Sequence, residues 1–170
     1  MIFTRREVEH SVGAITSTML AQSPRECVQS IVRERPQITQ ALWRETLFSM
    51  AAQDEWIVNL GGRDAHERIA HFFCEIFVRQ RMAGLAHDNT CQMPLTQAEL
   101  ADAMGLSVVH VNRILQDLRS AELIDLKGKN LTIPDFGTLA QECSFSPNYL
   151  CLESNWGNPV ARRNGTGSGF

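Results

Sequence analysis

The sequence predicts a mainly α fold with a small β element: one long helix, then two short helices joined by a tight turn and followed by a two-stranded hairpin. Three observations predict it. Pro36 opens a run to Leu60 with no internal glycine or proline. Helix-capping residues stand at Thr96 and Ser107, on either side of Gly105. Around Lys127-Gly128-Lys129, the apolar residues Ile124, Leu126, Leu131 and Ile133 recur at alternate positions.

The bulk properties are those of a globular chain. Its 170 residues, 44% hydrophobic and 21% charged, suit one compact domain or two small ones sharing a long element, with enough core to need no disulfide or metal. Ser49 interrupts the longest apolar run, residues 47–52, so no segment spans a bilayer and no membrane partner is expected. Met1-Ile2-Phe3-Thr4-Arg5-Arg6-Glu7 lacks the apolar stretch of a signal peptide, which predicts a cytoplasmic location. The five cysteines (Cys27, Cys74, Cys91, Cys143, Cys151) are odd in number and unpaired in spacing, as expected of free thiols in a reducing compartment. A net charge of −3 excludes a uniformly basic surface, so nucleic-acid binding has to rest on a local patch.

Residues 11–20, rich in Val, Ile and Thr, read as one strand whose sheet partners are missing from the chain. Ser23-Pro24-Arg25-Glu26 carries the elements of a capping box and opens a short helix. The apolar residues of 36–60 cover well over half the circumference of a rod roughly 36 Å long, so that helix is buried on two sides. A second copy of itself supplies one side, with Ser49, Ala51 and Ala52 allowing close approach and Leu42, Ser49, Ala52 and Trp56 as candidate dimerisation residues. The alternative is the central helix of a monomeric bundle.

Asp64-Ala65-His66-Glu67 caps a helix reaching about Met82, with Ile69, Phe72, Phe73, Ile76 and Phe77 on one face. Thr96-Gln97-Ala98-Glu99 opens the first short helix. Gly105 supplies the turn and Ser107 caps the second helix, running from Val108 to about Ala121. Val111, Ile114, Leu115 and Leu118 point inward there, while Val109, Asn112, Arg113 and Gln116 face out, carrying groups suited to base edges. This is the layout of a helix-turn-helix, and the hairpin is its wing. Lys127 and Lys129, the only lysines in the chain, sit at the wing tip where cations meet phosphates; a solvated hairpin tip is the alternative. Asp135 caps a short helix to Cys143, and the Asn-, Gly-, Ser- and Pro-rich residues 144–170, with Arg162-Arg163, read as a flexible tail.

The run Leu95-Thr96-Gln97-Ala98-Glu99-Leu100-Ala101 with Gly105-Leu106-Ser107, Val111, Arg113, Leu118 and Leu123-Ile124 resembles the C-terminal half of Crp/Fnr-type bacterial transcription regulators. Residues 56–70, from Trp56 through Gly61-Gly62 to Ala70, are similar to the end of that family's dimerisation helix and its hinge. The resemblance implies a remnant of the effector-sensing β-roll over 1–32, a dimerisation helix over 33–61, a winged helix-turn-helix DNA-binding domain over 62–143, and the tail. It further implies a homodimer on palindromic double-stranded DNA with half-sites about 34 Å apart, and RNA polymerase as a further candidate partner. Carried over by position, Ser107 contacts a phosphate and Arg113 reads a base. Where most of the family has arginine and glutamate after the serine, this chain has Val108 and Val109; specificity then falls to Arg113 with Asn112, His110 or Gln116, and to valine packing on thymine methyls.

The family's cyclic-nucleotide cradle and N-terminal cysteine cluster have no counterpart here, so no cofactor or effector is assigned. The chain is read as a fragment of a longer frame or as a regulator without a sensor. An alternative function is a protein-interaction module that pairs with a full-length relative and modulates it. His66, His71 and Cys74 do not share one helical face, so they are read as solvent-facing histidines and a packed thiol rather than a metal site. No nucleophile and base stand at motif spacing, and an enzyme is not expected.

Overall fold

A computed structural model describes residues 12–150. Two compact units divide between Met50 and Ala51.

In the first unit, residues 12–24 form no strand, contrary to the expectation for 11–20; Ser11 lies outside the described residues. Val12, Ile15, Met19 and Leu20 are exposed. A strand needs a hydrogen-bonded neighbour, and local β propensity without one leaves the backbone irregular. Helix α1, Arg25–Glu34, is capped by Pro24 with no side-chain cap bond, so the box expected of Ser23 and Glu26 does not form. The helix starts one residue later than the box requires. Helix α2, Pro36–Gly62, begins with proline at its first position, where no amide hydrogen is needed, and runs through both glycines expected to end it. Thr39 Oγ1 donates to Val32 O at 2.8 Å across the α1–α2 corner. Leu42, Trp43, Leu47 and Met50 of α2 are all exposed in the single chain.

The second unit holds the core. Helix α3, Ala65–Met82, has the capping box expected of Asp64 and Glu67 and buries Ile69, Phe73, Phe77 and Val78. After it come β1 (Thr90–Gln92), α4 (Gln97–Met104), α5 (Val108–Ser120), β2 (Asp125–Lys127), β3 (Asn130–Thr132) and α6 (Phe136–Glu142, capped by Asp135 as expected). The strands form an antiparallel sheet in the order β1-β3-β2, with Leu131 opposite both Cys91 and Leu126. Gly128 turns the β2–β3 hairpin at a φ of 61°. Strand β1 was not expected, because three residues are too short to display an alternating pattern. It pairs along β3, and the Thr90 and Thr132 hydroxyls meet at 2.9 Å. Among the described residues no helix is long and apolar enough to cross a membrane.

Residues 144–150 are not a tail. Phe145 and Leu150 are buried, and Pro147–Leu150 forms a 3-10 turn. The Phe145 ring sits edge-on to Phe136 and His71, and Tyr149 OH donates to Glu75 Oε2 at 2.8 Å. Composition pointed to a flexible segment, but two aromatic anchors override it. The remainder of the expected tail, 151–170 with Arg162 and Arg163, lies outside the described residues.

The C-terminal turns of α2 pack into this unit, which half-buries the candidate dimerisation residues Ala52 and Trp56 in the single chain. Trp56 packs edge-on against Phe72, centroids 5.8 Å apart, and its Nε1 donates to Glu75 Oε1 at 3.3 Å. Ala52, one turn earlier, is half-buried. Trp56 is half-buried, its ring packed against the α3 core. Leu42 and Ser49 remain exposed.

His71, expected to face solvent, is 1% exposed. Its Nε2 lies 3.2 Å from Glu55 Oε1 without hydrogen-bond alignment, and that oxygen already holds the Arg63 guanidinium at 2.6 Å. Burial first, then Arg63, lowers the His71 pKa against the opposing pull of Glu55 and Glu75. The imidazole therefore folds neutral. The unfolded chain protonates its histidine near pH 6.5 and the folded chain only below that, so the unfolded state binds more protons as pH falls. The contribution is complete above about pH 6.5 and is lost on acidification. Urea midpoints at pH 7.5 and 5.5 should differ more in the wild type than in His71→Gln; equal differences would contradict a neutral His71.

Cys74 and Cys143 are buried thiols whose sulfurs lie 3.9 Å apart, and Cys91 is buried too, its pKa raised to about 11 by burial. They are packed small groups, as expected. Cys151 lies outside the described residues. Cys27 is exposed.

Candidate nucleic-acid interface

Three local devices set the geometry of α4 and α5. Thr96 Oγ1 accepts from the Glu99 amide at 3.2 Å while Glu99 Oε2 accepts from the Thr96 amide at 2.7 Å, a reciprocal cap. Those bonds, the Thr96 amide first and its hydroxyl second, hold the Glu99 carboxyl below the usual carboxylate range. At the other end of α4, Gly105 adopts a φ of 64° that a side chain would strain, and Leu106 N donates back to Ala101 O at 2.9 Å. Ser107 then caps α5, its Oγ accepting from the His110 amide at 3.2 Å. The hydroxyl proton stays free to donate outward. Ser107→Ala should cost about 1 kcal/mol of stability, read as a lower urea midpoint at unchanged slope; no change would mean that the cap carries no stability.

Helix α5 divides by face as expected. Val111, Ile114, Leu115 and Leu118 are buried against the core, and Ala101 of α4 is buried where a larger residue would hold the two helices apart. Val109, Arg113 and Gln116 are exposed, with Val108 beside them. His110 and Asn112 are half-buried. Asn112 Nδ2 donates to Gln97 Oε1 at 3.1 Å, so this amide is occupied in clamping α5 to α4. Its expected place on the open face is corrected accordingly: the side chain sits at the margin, within reach of the neighbouring helix.

The wing brings two lysines to the surface. Lys127 Nζ lies 2.6 Å from Asp125 Oδ2, an exposed pair that solvent screens; Lys129 is exposed on the far side of Gly128. Arg119 Nη2 donates to Leu126 O at 3.3 Å, tying the end of α5 to the wing. Behind the site, Arg68 Nη1 donates to Met104 O at 2.8 Å, capping the C-terminus of α4 from α3, and Asn59 Nδ2 donates to Arg68 O at 3.4 Å. Gln97, Arg68 and Arg119 were missed by sequence reasoning because their partners lie 7 to 36 residues away along the chain. Only Arg68 carried a signal, a cation beside the buried positions of an otherwise apolar helix face.

Residues 94–134 carry four cations and five carboxylates, so the module as a whole is not basic. What it offers chemically is a rigid helix with an apolar leading turn, one arginine and one glutamine in line, and two lysines on a hairpin. Among the described residues no three His, Cys, Asp or Glu side chains group as metal ligands.

Residues 67–142 match the family of Crp-like helix-turn-helix domains. The chain is 31% identical over 142 residues to the transcriptional activator protein FnrL of Cereibacter sphaeroides, covering 81% of this chain and 57% of that protein. It is 27% identical over 140 residues to a probable transcriptional activator of Rhizobium leguminosarum bv. viciae, covering 82% and 58%. The chain spans little more than half the length of these curated relatives. Among solved structures, FixK2 from Bradyrhizobium japonicum superposes with a TM-score of 0.61 at 22% identity, over 69% of this chain and 57% of that one. At that identity the likeness speaks for the fold.

Proposed function

We propose that this chain, whose residues 67–142 match the Crp-like helix-turn-helix domains and which is 31% identical to a transcriptional activator, is a Crp/Fnr-type regulator that binds double-stranded DNA sequence-specifically as a homodimer on an inverted repeat. The observation that carries the reading is the exposed line Val109, Arg113 and Gln116 on α5, with the buried line Val111, Ile114, Leu115 and Leu118 behind it. A helix anchored on one side and polar on the other fits a major groove, where arginine pairs bidentately with guanine and glutamine with adenine. Ser107 and the wing lysines, Lys127 and Lys129, then face phosphates.

The exposed apolar residues Leu42, Trp43, Leu47 and Met50 of α2 support pairing with a second copy, and a two-fold dimer places half-sites about 34 Å apart. With no net positive charge in the module, one subunit alone binds weakly, and affinity depends on the pair. The relatives' description as activators extends the proposal to contact with RNA polymerase, in the cytoplasm. The same exposed α2 face favours a second reading, in which this chain pairs with a longer relative and retunes it.

Selection from random duplexes tests the choice. The purified chain should enrich an inverted repeat with half-site centres about 10 base pairs apart. Enrichment only when a longer relative is added supports the second reading, and none under either condition overturns both.

A further inference from the structure

We propose that Val109 is a specificity residue that reads the C5 methyl group of a pyrimidine in the major groove, thymine in unmodified DNA. The inference rests on α5 being the DNA-reading helix and deepens that reading.

Val109 is 81% exposed, more than any other large hydrophobic described in the second unit. It stands on the first turn of α5, the part of such a helix that meets base edges. Two polar groups beside it already hold intramolecular bonds: the Ser107 oxygen takes the His110 amide, and the Asn112 amide is held by Gln97. Val108, 46% exposed, adds a second branched aliphatic, so the leading turn presents hydrocarbon outward.

Base edges in the major groove display donors and acceptors, with one apolar exception, the thymine methyl. A valine pressed against a polar edge would strip water from it without replacing the hydrogen bond. Against a methyl it loses nothing and removes apolar surface from water. Its branched side chain is stiff, so little rotamer freedom is lost on contact. Discrimination therefore runs both ways, favouring the methyl and penalising the alternatives. Arg113 lies one turn further along the same face, about 6 Å along the helix axis. With base pairs about 3.4 Å apart, the methyl-bearing base falls within about two pairs of the base that Arg113 reads.

On the duplex that the wild type selects, each thymine is replaced in turn by deoxyuridine, which removes the methyl and leaves every hydrogen-bonding group in place. At one position per half-site, within two pairs of the Arg113 base, affinity should fall about fourfold, the value of roughly one buried methyl group. Val109→Ala should bind the thymine and uracil duplexes alike while keeping its preference at the Arg113 base. Placing 5-methylcytosine at that position should bind the wild type about fourfold better than cytosine. Uracil tolerated at every thymine, by a protein that still selects a site, overturns the Val109 assignment and leaves DNA reading intact. Failure to select any site removes the DNA-reading role of α5 and this inference with it.

Discussion

Arg113→Ala is expected to lower affinity for the selected site by about 5- to 150-fold per half-site, roughly 1 to 3 kcal/mol, and to relax recognition at one base position. Arg113 is exposed on α5 between two residues that fix its setting, Asn112 bonded to Gln97 and Ile114 buried in the core. The backbone under the guanidinium is thus held rigidly. A bidentate contact depends on such placement, because a fork displaced by an ångström loses one of its two bonds. Lys129→Ala makes the contrast, weakening every sequence alike and flattening the dependence on salt, as a phosphate contact should. Titrating both variants against the selected duplex and its single-base changes separates the roles. Equal, sequence-blind losses from the two would remove base reading from Arg113.

Leu47→Glu is expected to convert the assembly to a monomer of about 19.1 kDa and to weaken DNA binding by 100-fold or more. Leu47 is half exposed in the single chain, as are Trp43 and Met50 near it, so the substitution leaves the chain's own packing in place. In a two-fold pair the new carboxylates would face each other across an apolar contact, where neither finds a cation and both lose water. The loss in DNA affinity follows without any change at α5, because the second half-site is no longer tethered at an effective concentration in the millimolar range. Sedimentation velocity checks the mass. An unchanged dimer that binds DNA normally would move the seam off this face of α2.

What was legible in the sequence was local. The Asp64 and Thr96 boxes, the Ser107 and Asp135 caps and the Gly105 turn each depend on residues within five positions of one another, and each stands where expected. The inward and outward faces of α5 follow from the same helical period. The errors have other origins. Residues 12–20 have the composition of a strand and no partner; Ser23 has the pattern of a cap but the helix begins after Pro24. The pattern puts Trp56 at a seam, His71 in solvent and residues 144–150 in a tail, whereas Phe72, Glu55 and Glu75 take them into the second unit. Asn112 has the spacing of a base-reading residue, and only the fold brings Gln97 within 3.1 Å of it. For Trp56, His71, residues 144–150 and Asn112 the deciding partner is remote along the chain, where periodicity carries no information.

Hydroxyl-radical footprinting of the purified chain on its selected duplex tests the central claim most directly. Two protected patches on one face of the duplex, centred about 10 base pairs apart and both lost in Leu47→Glu, are the expected result. A single patch, or protection that ignores sequence, would contradict a paired reading of DNA by α5.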